Sequence, residues 1–153
     1  MLEQSDFRRG RSVVYDLHVH LVFITKYRRG VLDEAACAAL RDVFAKVCAD
    51  FGATLRACDG EDDHVHLLVE YPPKVALPVL VNSLKGVSSR RLRQARPDIA
   101  RRYYKGVLWS PSYFAASCGG APLESPFGVS PFGTDRCAME VIRRYVERQR
   151  GTG

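Results

Sequence analysis

The chain has 153 residues, 46% of them hydrophobic and 26% charged, with a formal net charge of +6. That is the composition of one globular domain, and it excludes a disordered chain, a collagen-like chain and a coiled-coil rod. No apolar run approaches the roughly 18 residues of a membrane span.

The opening MLEQSDFRRGRS lacks the apolar core of a secretory signal. Residues 12–27, SVVYDLHVHLVFITKY, are β-branched, aromatic and alternating, which predicts a long first strand. Residues 33–51 carry Ala36, Leu40, Val43, Phe44 and Val47 at helical spacing, with an Asp-Glu start and Gly52 as the stop. A second strand is expected at 53–58, a turn at Asp59-Gly60, and a third strand at 64–71, HVHLLVEY, ended by Pro72-Pro73. A helix is expected over 77–96, with Pro78 tolerated in its first turn. Residues 107–109 and 113–117 read as short strand pieces. Residues 118–138, rich in Gly, Pro and Ser, read as a flexible connection, and residues 139–150 as a last helix.

The order β, α, β, β, α, β predicts an α+β fold, a ferredoxin-like (RRM-like) antiparallel sheet with helices on one face. A C-terminal helix would be appended to a single domain spanning residues 1–153, whose sheet and helices occupy 12–117. The other face of the sheet is left for chemistry.

Basic residues are unevenly spread. Residues 85–105 hold Lys85, Arg90, Arg91, Arg93, Arg96, Arg101, Arg102 and Lys105 against Asp98 alone. Such a run is often a solvated helix face. Here aromatics follow it, in RRYYKGVLW, and that mixture suits phosphate contacts with base stacking.

All four histidines lie in two His-Val-His tripeptides, at 18–20 and 64–66. Period-two alternation puts both members of a pair on one face of a strand, where they can share a metal ion or simply bond to neighbours and water. Residues 61–63, Glu-Asp-Asp, add negative charge beside the second pair. Cys37, Cys48, Cys58, Cys118 and Cys137 are scattered without a CxxC, which predicts neither a disulfide framework nor a zinc knuckle, and a reducing cytoplasm as compartment. In the last helix Tyr145 and Gln149 are four apart and share a face.

Five stretches together resemble the HUH-type single-tyrosine transposases of bacterial insertion sequences, the TnpA family. They are YDLHVHLVFITKYRRGVL, DDHVHLLVEYPP, LVNSLKGVSSRRLR, LWSPSYFAAS with Gly119-Gly120, and EVIRRYVERQ. Each is a weak signal alone, but five in this order are specific. The resemblance implies His64, His66 and Gln149 as ligands of Mg²⁺ or Mn²⁺ and Tyr145 as the nucleophile. It leaves His20 as a structural or supporting residue and His18 without a role. It implies cutting and rejoining of single-stranded DNA through a 5′-phosphotyrosine link, with hairpins at the element's ends as partners and a homodimer as the working form. Candidate phosphate contacts are Lys26, Arg28, Arg29, Lys85, Arg90, Arg91 and Arg93. Residues between 121 and 140 look like an insertion relative to the family, which leaves open whether the tyrosine helix serves its own site or its partner's. Two rivals remain at this point: a non-catalytic hairpin-binding relative, and a metal-dependent nuclease using water.

Overall fold

The β-branched run of the first His-Val-His segment becomes the spine of the sheet. The computed structural model describes residues 8–9 and 14–117. The expected connection at 118–138 and the helix at 139–150, with Tyr145 and Gln149, lie outside the described residues.

Six strands and three helices are described. They are β1 (Arg8–Arg9), β2 (Val14–Tyr15), β3 (His18–Ile24), α1 (Glu34–Asp50), β4 (Thr54–Gly60), β5 (His64–Glu70), α2 (Leu77–Ala95), α3 (Pro97–Ala100) and β6 (Phe114–Ala116), with short 3₁₀ turns at Lys26–Arg28 and Tyr104–Gly106. The main sheet has the order β4-β5-β3-β6 and is antiparallel throughout. With the two long crossover helices this is the ferredoxin-like arrangement expected from the element order.

Side chains alternate as the pleat demands. Val19, Leu21 and Phe23 of β3 and Val65, Leu67 and Val69 of β5 form one buried core with Leu40 and Phe44 of α1 and Leu80 and Leu84 of α2. The Phe23 and Phe44 rings meet edge to face, their centroids 5.9 Å apart, a favourable geometry for aromatic pairs. Asp33 caps α1, accepting a bond from the Ala36 amide at 2.8 Å, and so satisfies one of the donors that a helix start leaves open. Its carboxylate also receives both Arg96 terminal nitrogens, at 2.9 and 2.7 Å, from the end of α2. The start of one helix is thereby tied to the end of the other.

Three expectations change. The long first strand is broken at Asp16-Leu17: β2 turns away to pair with β1, and the 3₁₀ turn replaces its far end. Asp59-Gly60 is not the turn. Both residues stay in β4, and the chain reverses at 61–63, where the Glu61 amide bonds to the His64 carbonyl at 2.8 Å. Gly60 is required by a close neighbour, since a Cβ there would stand 2.8 Å from Cys37 Sγ on α1. The 107–109 segment contributes a single bridge, Trp109 to Thr25, rather than a strand. Trp109 Nε1 donates to Ser88 Oγ of α2 at 2.9 Å, fixing this segment to the core. Cys37, Cys48 and Cys58 are free thiols, and burial pushes Cys48 up to about 12 and Cys58 up to about 11. No helix among the described residues is long and apolar enough to cross a membrane.

Candidate active site

The helix-free face of the sheet carries all four histidines. Antiparallel register sets His18 opposite Glu70, His20 opposite Leu68, Val22 opposite His66 and Ile24 opposite His64. This face is not uniformly open. His18, His20 and Glu70 are buried, whereas His64 and His66 are half-buried, at the end of β5 where it leaves the reversal at 61–63.

The His64 and His66 rings lie with centroids 5.1 Å apart and planes tilted by 33°. His64 Nδ1 is 2.7 Å from Asp63 Oδ1. A carboxylate there favours the proton on Nδ1 and leaves the Nε2 lone pair for a ligand, the usual support of a metal-binding histidine. The other Asp63 oxygen receives Arg28 Nε at 3.0 Å and Nη2 at 2.7 Å. Partial burial pushes the Asp63 carboxyl up, but the bonds from His64 and Arg28 outweigh it, and the group stays below the usual carboxylate range. Burial, helped by His64, pushes His66 down to about 4, and Asp59 beside it offsets this only in part. His66 is therefore a neutral imidazole at physiological pH, as a metal ligand must be. Two imidazole nitrogen donors with a supporting carboxylate fit a divalent cation. Among the described residues no three His, Cys, Asp or Glu side chains converge to hold one.

The backbone around Asp63 is held as firmly as its side chain. Thr25 donates its amide to the Asp63 carbonyl at 2.9 Å, and its hydroxyl lies 2.8 Å from the Arg29 carbonyl and 3.1 Å from that of Asp63. The Lys26–Arg28 turn is thus pinned against the residue before His64.

The seven candidate DNA contacts divide into two kinds. Arg90 and Arg91 are exposed on α2, and Lys26, Arg29 and Arg93 are half-buried. Arg90 and Arg93 line a groove of about 630 Å³ along α2, whose floor includes Gly86 and which reaches Gly106. Arg28 and Lys85 are committed inward. Arg28 holds Asp63, and Lys85 Nζ donates to the carbonyls of Ser110, Pro111 and Ser112 at 2.6, 3.3 and 3.3 Å. Burial holds the Lys85 ammonium below the ordinary lysine range. Asp63 is the residue that sequence reasoning undervalued. Its signal was its place directly before the His pair, read there only as diffuse negative charge.

Residues 13–127 match the family model described as "Transposase IS200 like". The chain belongs to the IS200-like transposase family. The match takes in the whole described sheet from β2 to β6. ISDra2 transposase TnpA of Deinococcus radiodurans is 37% identical over 108 residues, covering 71% of this chain and 77% of that one. The transposase for insertion sequence element IS200 of Salmonella typhimurium is 29% identical over 100 residues, covering 65% and 66%. A crystal structure of a Deinococcus radiodurans R1 protein assigned as a transposase superimposes with a TM-score of 0.76 at 31% identity, covering 93% of this transposase and 97% of that chain. A REP-associated tyrosine transposase bound to a REP hairpin shares the fold at a TM-score of 0.50 and 16% identity, over 72% and 61% of the two chains.

Proposed function

We propose that this transposase cuts and rejoins single-stranded DNA at the ends of its insertion sequence, with Tyr145 as nucleophile and a 5′-phosphotyrosine link as intermediate. The observation that carries the reading is the His64–His66 pair, 5.1 Å between ring centroids and backed by Asp63, within the family-matched segment.

His64, His66 and Gln149 would hold a divalent cation, Mg²⁺ or Mn²⁺, which when bound supplies Lewis-acid polarisation of the scissile phosphate. The chain's own residues do the rest. Asp63 fixes the His64 ring and its tautomer. Burial keeps His66 neutral. The Tyr145 oxygen, its proton lost to solvent, forms a bond to phosphorus while the P–O3′ bond breaks, and the departing 3′ oxygen takes up a proton. A 3′-hydroxyl attacking the phosphotyrosine reverses the sequence and joins the strands, so no external energy source is needed. Lys26, Arg29, Arg90, Arg91 and Arg93 supply phosphate contacts, while Arg28 and Lys85 serve the scaffold. A hairpin at the element's end as DNA partner is supported by the hairpin bound to the fold neighbour. A homodimer, with the tyrosine helix completing its own or its partner's site, belongs to the same reading.

The test is incubation with single-stranded end DNA and Mn²⁺, followed by a denaturing gel. A protein–DNA species that survives denaturation is expected, lost in Tyr145→Phe and in His64→Ala, with DNA binding retained in Tyr145→Phe. Cleavage that persists in Tyr145→Phe would show water to be the nucleophile. Binding without any covalent species from the unaltered protein would show a DNA-binding relative without catalysis.

A further inference from the structure

Two tyrosines stand far out of the surface on turns that non-glycine residues rarely adopt. Tyr27 is 65% exposed and Tyr104 is 80% exposed. The first turn holds Tyr27 and Arg28 in succession at φ 62° and 52°. The second holds Lys105 at φ 57°, followed by Gly106 at φ 65°. Left-handed conformations cost free energy in non-glycine residues and persist where the surroundings impose them, most often at functional sites. At the first turn the surroundings do impose them. The Lys26 amide donates to the Leu108 carbonyl at 2.8 Å, the Arg28 amide to the Thr25 carbonyl at 2.9 Å, and the Arg28 guanidinium to Asp63.

Cations accompany both rings. Lys26 Nζ lies 5.4 Å and the Arg29 guanidinium 5.0 Å from the Tyr27 ring centre, and Lys105 Nζ lies 5.5 Å from that of Tyr104. Arg29 also lies 5.3 Å from the ring centre of Tyr103, the neighbour of Tyr104, and so joins the two turns. At the far side the second turn abuts α2: a Cβ at Gly106 would stand 3.0 Å from Arg93 Nη1. A path of successive contacts therefore links the basic groove of α2, by Arg93 and Gly106, to the turn of Tyr104 and Lys105, and by Tyr103, Arg29 and Tyr27 to Arg28, Asp63 and His64. Exposed aromatic faces interleaved with cations are what a single strand requires: π-surfaces for unpaired bases and positive charge for the phosphates between them. A duplex, its bases stacked on one another, has no use for the rings.

We infer that Tyr27 and Tyr104 are stacking posts for two unpaired bases of the DNA strand, leading it along this path to the histidine pair. The inference rests on the single-strand reading above, but it concerns binding and is independent of cleavage.

Fluorescence polarisation in EDTA tests it, comparing a labelled 20-nucleotide oligo(dT) with an abasic strand of equal length and charge. The unaltered protein should bind oligo(dT) more tightly. Tyr27→Asn, which tolerates the left-handed turn, and Tyr104→Leu should each weaken oligo(dT) binding about fivefold or more. The double variant should bind both strands alike, and abasic binding should stay unchanged throughout. Tyr27→Phe and Tyr104→Phe should retain the preference. Oligo(dT) binding that survives in the double variant overturns the inference. So does an equal loss on both strands, or an unaltered protein that does not prefer bases. Because no cation is present, a failure of the phosphotyrosine chemistry appears only in the gel assay with Mn²⁺ and leaves this result standing.

Discussion

Asp63 bonds through one oxygen to His64 Nδ1 at 2.7 Å and through the other to Arg28 Nη2 at the same distance. The carboxylate thereby ties a proposed metal ligand to the turn that displays Tyr27. Supporting carboxylates of this kind typically carry about 10- to 100-fold in metal affinity. Asp63→Asn, which keeps an acceptor but loses the charge, should weaken Mn²⁺ binding by about tenfold, and Asp63→Ala by more. A titration of free Mn²⁺ by electron paramagnetic resonance on the full chain reads this directly. Unchanged affinity in Asp63→Ala would remove Asp63 from the site.

Lys85 and Arg91 share a helix but should behave oppositely. Lys85 is bonded to three backbone carbonyls on the approach to β6, whereas Arg91 is exposed. Lys85→Met should lower the melting temperature, because it removes the half-buried ammonium that ties α2 to the Ser110, Pro111 and Ser112 carbonyls, and leave the salt dependence of DNA binding unaltered. Arg91→Ala should leave the melting temperature unchanged and reduce the salt slope by about one phosphate contact. Thermal unfolding and binding at several salt concentrations separate the two.

Gly60 faces Cys37 so closely that an added methyl must displace the sulfur or the strand. Gly60→Ala should cost about 1–3 kcal/mol, the usual range for overpacking. Cys37→Ala should cost much less, and the double variant should recover most of the loss. Failure of that rescue in denaturant titrations would mean that the glycine is needed for its backbone instead.

The Arg96–Asp33 link predicts an acid response. The Arg96 bond, with the Ala36 amide, lowers the Asp33 carboxyl to about 2 from an ordinary value of 3.8. A depressed carboxylate contributes stability above its unfolded value and loses it as pH falls through the folded one. The contribution should thus be complete above about pH 4 and fade towards pH 2. Asp33→Asn can still cap α1 but cannot titrate, so its melting temperature should fall less than that of the unaltered protein between pH 5 and pH 2. Parallel acid slopes in the two proteins would contradict this.

The elements with strong local signals were legible from the sequence. Leu40, Phe44 and Val47 at helical spacing placed α1, and the alternation through 64–70 placed β5 and put both of its histidines on one face. What escaped depends on residues distant in the chain. Gly60 looks like turn chemistry until Cys37 is seen against it. The break at Asp16-Leu17 is invisible in an unbroken β-branched run, because the pairing of β2 with β1 causes it. Asp63 gains its role from Arg28, 35 residues earlier. Nothing in TKYRR shows that Tyr27 and Arg28 adopt left-handed backbone, since the contacts that force it come from Leu108 and Asp63. Tyr145 and Gln149 lie outside the described residues, and their roles rest on the resemblance.

The alternation of β5 also limits how the gene can change length. One face of 64–70 is aliphatic core and the other carries the imidazoles, with β3 paired residue for residue alongside. Loss or gain of one codon within this stretch would turn every later side chain over, sending histidine into the helix-packed interior and valine to the site. Viable relatives should therefore vary in length at the reversal 61–63 or after Pro72, and hold the seven residues of β5 fixed.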